Sequence, residues 1–130
     1  MPFRLMESMI RGIGTDIVEI DRISNAIKKD FFLKKAFNDS EIDMAAGRNK
    51  DSFLAGNFAT KEAFVKALGT GFRGVELKDL AVLRDELGKP FIKICNNSNR
   101  HLQGIDENKI HVSISNTDSL AIAMVVIEVD

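Results

Sequence analysis

Residues 52–68, SFLAGNFATKEAFVKAL, limit the possible folds more than any other segment. At about 100° per residue, Phe53, Leu54, Phe58, Phe64, Val65 and Leu68 fall within one arc of roughly 140°. That spacing predicts a helix with one apolar face in a core, and Gly69 is well placed as the residue after it. The remaining segments must supply the surface that covers this face. Two residues break the pattern: Lys61 projects into the apolar arc between Leu54, Val65 and Leu68, and Asn57 falls in the same arc one turn earlier.

The flanking segments read as a small mixed domain. Ile13, Thr15 and Ile17 alternate between Gly12 and Gly14 in a strand over residues 10–20, which runs into a helix near Asp21. Asn38-Asp39-Ser40-Glu41 resembles a capping box and predicts a short helix, and residues 47–51 read as a polar connection. Residues 75–84 and 90–95 read as two strands joined by Asp85-Glu86-Leu87-Gly88, and residues 96–109 are polar and irregular. Residues 110–116 alternate, with Ile110, Val112 and Ile114 on one face and His111, Ser113 and Ser115 on the other. A turn at Asn116-Thr117-Asp118 leads to a last strand, 120–129, apolar on both faces. The order of strand, helices and two hairpin-like pairs favours an α+β fold, with residues 1–130 as one domain.

Composition narrows the function classes. A net charge of −1 argues against a generally basic nucleic-acid surface. The single cysteine, Cys95, rules out an internal disulfide framework, and one Cys with two His argues against a structural zinc site. The opening MPFRLMESMIRG lacks the apolar core of a signal peptide, and no apolar run approaches the roughly 20 residues that span a bilayer. The expected setting is cytoplasmic, with no nucleic acid and no membrane partner.

Each candidate site residue has two readings. Lys61 is either a lysine snorkelling at the edge of the core or a cation held in a partly dry cleft for a phosphate. Glu62 and Lys66 form either an ordinary i,i+4 surface bridge or a metal carboxylate beside a phosphate-binding lysine. Asp16, within an apolar strand, is either paired with a nearby base or amide, or is a second metal carboxylate; Glu19 and Asp21 rank below it. Gly69-Thr70-Gly71 either ends the helix or offers backbone amides to a phosphate. His111, Ser113 and Ser115 share one strand face, which is either solvated or part of a site, and no Asp stands at an obvious triad spacing.

Several blocks in order resemble one family. GIGTD with IVEIDRI, FLAGNFATKEAFVKALGTG, ELGKPFIKI and HVSISNT resemble corresponding segments of the holo-acyl-carrier-protein synthases, from about residue 11 to 128. The resemblance implies the 4'-phosphopantetheinyl transferase fold, an antiparallel sheet packed against a long central helix. It implies that magnesium is bound by Asp16 and Glu62, that Lys61 and Lys66 lie near the coenzyme A pyrophosphate, and that Glu62, Lys61 and Lys66 carry catalysis. Gly69, Thr70, Gly71, His111, Ser113 and Ser115 would help to wall the nucleotide. An apo-acyl carrier protein would dock on a basic first helix through Arg22, Lys28 and Lys29, and the assembly would be a homotrimer with sites between subunits.

The implied activity is magnesium-dependent transfer of 4'-phosphopantetheine from coenzyme A to a carrier serine, releasing 3',5'-ADP, in fatty acid biosynthesis. The family often has Arg at the position of Asn57 and His at the position of Asn116. Arg48, Lys50 or Arg73 are the bases nearby that could compensate. Two rival readings are a relative that binds coenzyme A or a carrier protein without turnover, and a structural oligomer in which Lys61 and Glu62 merely join subunits.

Overall fold

The computed structural model describes residues 9–130. Residues 1–8, which include most of the opening segment read against a signal peptide, lie outside the described residues. The chain runs through β1 (Met9–Glu19), α1 (Ile20–Ala26), α2 (Asp30–Ala36), α3 (Asp39–Ala45) and α4 (Lys50–Leu68). It continues through β2 (Leu80–Arg84), β3 (Pro90–Ile94), β4 (Ile110–Asn116) and β5 (Leu120–Val129). A three-stranded antiparallel sheet has the order β1-β5-β4, and β2 and β3 form a separate hairpin. No helix among the described residues is long and apolar enough to cross a membrane.

Helix α4 is more deeply buried than its apolar arc predicts. Ala55, Gly56, Ala59, Thr60, Ala63 and Ala67 are buried along with Phe53, Leu54, Phe64 and Val65. These small residues let the helix lie almost in contact with β1. A Cβ at Gly14 would sit 1.8 Å from the Ala63 carbonyl oxygen, and one at Gly12 would sit 1.8 Å from that of Ala67. The two glycines that interrupt the strand's alternation are therefore the places where helix and strand backbones meet, a role that only a missing side chain allows. The helix ends as expected: Gly69 is left-handed at φ 83°, and its N–H donates to the Val65 and Lys66 carbonyls.

The predicted start of β2 moves. Residues 75–79 are a loop and a short 3-10 turn, Leu77–Asp79, so β2 begins only at Leu80. Helix α2 does not stand out in the sequence pattern, since only Ala36 on it is fully buried. The capping box predicted at Asn38 to Glu41 is present and opens α3.

Candidate active site

Asp16 belongs to the inner side of β1, opposite Ala123 of β5, and its side chain is 18% exposed. The two close contacts at Gly12 and Gly14 press this end of β1 onto the last turns of α4, which carry Glu62 and Lys66. The Lys66 ammonium lies 3.1 Å from Asp16 Oδ1 and donates to the Thr15 carbonyl at 3.0 Å. Glu62 faces a cavity of about 400 Å³ lined also by Lys35, Phe72, Val75, Glu76 and Leu77. Partial burial raises the Glu62 carboxyl above the usual glutamate range, and the nearby negative charge of Asp16 raises it further, while Lys66 and Arg22 act against the shift. Two carboxylates that repel each other beside a lysine are therefore the core of the site.

This donor set fits magnesium. Both groups supply hard oxygens, and the repulsion between them is what a divalent cation would relieve. Among the described residues no cluster of three or more His, Cys, Asp or Glu is present. One or two carboxylates completed by phosphate oxygens and water are the usual magnesium arrangement.

Lys61 corrects the sequence reading. Its side chain is fully buried, and its ammonium lies 2.7 Å from Glu41 Oε1 and 2.7 Å from the Ala36 carbonyl oxygen. The group is neither snorkelling nor directed at a phosphate cleft; it ties α4 to α2 and α3. Burial pushes its pKa down, with Glu41 acting in the other direction. Asn57 belongs to the same network, donating 2.9 Å bonds to Glu41 Oε2 and to the Val82 carbonyl.

The other candidates are spread around this centre. Gly69 and Thr70 line a separate hollow with Arg73, Gly74, Arg100 and His101. His111, Ser113 and Ser115 face outward from β4, paired opposite Val126, Met124 and Ile122, and His111 Nε2 lies 2.8 Å from Glu128. A single chain therefore does not bring that strand face to Asp16 and Glu62. Arg22 is exposed on α1, but Lys28 and Lys29 fall in the turn beyond its last residue, Ala26, rather than on the first helix. The sequence reading missed Lys35 as a wall of the Glu62 cavity, because the helix that carries it lacks a clear apolar stripe. It also missed Glu41 as the partner of Lys61; Glu41 could be read only as a capping residue, although an isolated lysine in an apolar arc signals that some buried acid must meet it.

Fold and site define a protein of the phosphopantetheinyl transferase type, and the family model described as the 4'-phosphopantetheinyl transferase superfamily matches residues 12–125. A holo-[acyl-carrier-protein] synthase of Clostridium perfringens is 48% identical over 126 residues, covering 92% of this chain and 95% of that protein. The crystal structure of a holo-(acyl-carrier-protein) synthase from Bacillus anthracis, in complex with CoA (3',5'-ADP), superposes with a TM-score of 0.78 at 35% identity, covering 94% of this chain and 99% of that one. That of the Neisseria meningitidis synthase superposes at 0.82 and 37% identity, covering 93% and 100%. The chain belongs to the holo-[acyl-carrier-protein] synthase family.

Proposed function

We propose that this protein transfers 4'-phosphopantetheine from coenzyme A to a serine of an apo-acyl carrier protein, giving the holo-carrier protein and 3',5'-ADP. The observation that carries the reading is the Asp16–Glu62 pair beside Lys66, in a chain whose relatives bear that activity in their names and, in one crystal structure, hold the nucleotide. The serine oxygen attacks the β-phosphorus of coenzyme A, a new O–P bond forms, and the bond to the bridging oxygen of 3',5'-ADP breaks. Glu62 takes the serine proton, directly or through one water. Lys66 stabilises charge that grows on the non-bridging oxygens. Asp16 orients Lys66 and, with Glu62, would hold magnesium. When bound, the metal supplies charge neutralisation at the diphosphate.

The homotrimer is part of the same proposal. Met9, Ile10, Ile13, Ile17, Ile122 and Met124 are all exposed on β1 and β5, with Ile17 at 59% and Ile13 at 54%. An open apolar sheet face of that kind marks an interaction surface. The groove of Thr15, Asp16, Ile17, Lys66 and Ile122 combines residues of this face with Asp16 and Lys66 of the candidate site, so a second copy seated there would border the site. Walling of the nucleotide by the Gly69–Gly71 loop and by the outward His111, Ser113 and Ser115 belongs to this assembled form. Docking of the acidic carrier protein on Arg22, Lys28 and Lys29, a cytoplasmic location and a role in fatty acid biosynthesis complete the reading.

The test is incubation with coenzyme A, magnesium and apo-carrier protein, followed by mass spectrometry with and without EDTA. The carrier should gain the mass of one phosphopantetheine, and EDTA should abolish the gain. A stable complex without mass gain would instead identify a binding protein.

A further inference from the structure

The loop between α4 and β2, residues 69–79, walls the Glu62 cavity with Phe72, Val75, Glu76 and Leu77. Val75 is buried, but Phe72 is 38% exposed, so packing holds only part of the loop. Among the described residues, 72–75 make no backbone–backbone hydrogen bond. Gly74 stands there in the left-handed region at φ 79°, and two contacts from residues 99–101 converge on it. The Asn99 side chain donates from Nδ2 to the Gly74 carbonyl. The His101 ring lies against the same residue: a Cβ on Gly74 would sit 2.8 Å from His101 Nε2.

Asn99 is itself held in place. Its Nδ2 also donates to Asp79 Oδ2 at 3.0 Å, and its Oδ1 accepts from the His101 backbone N–H at 2.9 Å. Asp79 is 8% exposed and belongs to no ion pair among the described residues. Its carboxylate accepts further from the Glu76 backbone N–H at 2.9 Å and from Asn96 Nδ2 at 3.1 Å. A nearly buried carboxylate without a cation needs such donors. With one Nδ2 hydrogen on Asp79 and Oδ1 taken by the His101 amide, the other Nδ2 hydrogen of Asn99 serves the Gly74 carbonyl. Asn96 joins its own turn to the carboxylate and does not reach Gly74.

We propose that Asn99 is a positioning residue for the donor: its bond to the Gly74 carbonyl holds the loop that walls the Glu62 cavity and thereby sets the affinity for coenzyme A. The proposal rests on the transferase reading, in which that cavity receives part of the donor. Glu62 and Lys66 lie on α4 and Asp16 on β1, outside the loop, so freeing the loop leaves the reacting groups where they are. The cost falls on binding. If the loop keeps its present form for only about a tenth of the time, the apparent affinity for coenzyme A falls about tenfold. The polar segment 96–109 thus has a task that its sequence pattern does not announce.

Steady-state transfer by the magnesium-loaded full chain tests the latch with two matched variants. Asn99→Ala should raise KM for coenzyme A about tenfold and leave kcat within about twofold, the signature of lost ground-state binding. Asn96→Ala removes the other side-chain amide from Asp79 without touching the loop contact. It should lower the melting temperature and leave KM within about twofold. His101→Ala, which leaves the Asp79 hydrogen bonds in place, should raise KM in the same direction and serves if Asn99→Ala folds poorly. Amide hydrogen exchange over residues 70–77 should be faster in Asn99→Ala than in wild type and in Asn96→Ala, a readout that needs no transfer. Wild-type KM in both the Asn99 and His101 variants, an equal rise in Asn96→Ala, or unchanged exchange would overturn the proposal. Wild-type protein inert toward coenzyme A would overturn the transferase reading instead, and the exchange comparison then decides the latch by itself.

Discussion

The Lys61 ammonium and the Glu41 carboxylate meet at 2.7 Å with both side chains fully buried. Glu41 also accepts from Asn57 Nδ2 at 2.9 Å and from the Asn38 backbone N–H at 3.0 Å, so one carboxylate joins α3 to two successive turns of α4. The next residue, Glu62, faces the cavity with Lys35, so this buried pair lies beside the candidate site. A buried ion pair adds little net stability over a well-packed apolar pair, but it is costly to break.

Lys61→Ala should accordingly destabilise the fold by about 3–5 kcal/mol, because it strands a buried carboxylate. Joint replacement, Lys61→Met with Glu41→Gln, should be clearly more stable than the single variant. Urea unfolding of the three proteins measures this, and a fully stable Lys61→Ala variant would contradict it.

Glu62→Gln should lose transfer yet gain thermal stability near neutral pH. The folded-state pKa of Glu62 is raised, chiefly by burial and then by Asp16, so ionising it costs the folded state more than the unfolded one. That cost is present in full above the raised folded value and vanishes below the unfolded value of about 4.5. The melting-temperature gain of the variant should therefore shrink as pH falls through this window. A gain independent of pH would point to packing instead.

Gly14→Ala should destabilise the protein by about 3 kcal/mol or more, since a Cβ there meets backbone that has nowhere to move. Gly47→Ala, where nothing lies within 4 Å, is the matched control for a glycine at positive φ without a clash. Chemical denaturation of both separates the clash from the backbone strain.

If the proposed trimer forms through this face, replacing Ile13 and Ile17 together by Asp should give monomers and abolish transfer, with the fold of each chain retained. Analytical ultracentrifugation and far-UV circular dichroism read the two parts separately. An unaltered sedimentation coefficient would show that this face is not the contact.

Arg22→Glu should raise KM for the carrier protein and leave that for coenzyme A unchanged, because charges on the rim of an interface act mainly on encounter. A parallel rise for both substrates would remove Arg22 from the docking surface.

Local rules made much of this molecule readable in advance. The period of α4, its glycine stop, the Asn38–Glu41 capping box and the alternation of β4 are short-range patterns, and they appear where expected. The candidate pair Asp16 and Glu62 was legible for the same reason: a carboxylate in an apolar strand and one at the edge of an apolar helix are local anomalies. Pairing between distant residues was not legible. Whether Lys61 meets a phosphate or an acid depends on where α3 packs, 20 residues earlier in the chain. Whether Arg84 meets solvent or the Phe53 ring, 4.4 Å from its guanidinium carbon, depends on how β2 lies across the start of α4. A residue's type and its local period determine what it needs, such as a partner, a cover or a turn. Only the packing of separate elements decides which group meets that need, because burial and Coulomb attraction act through distances in space rather than along the chain.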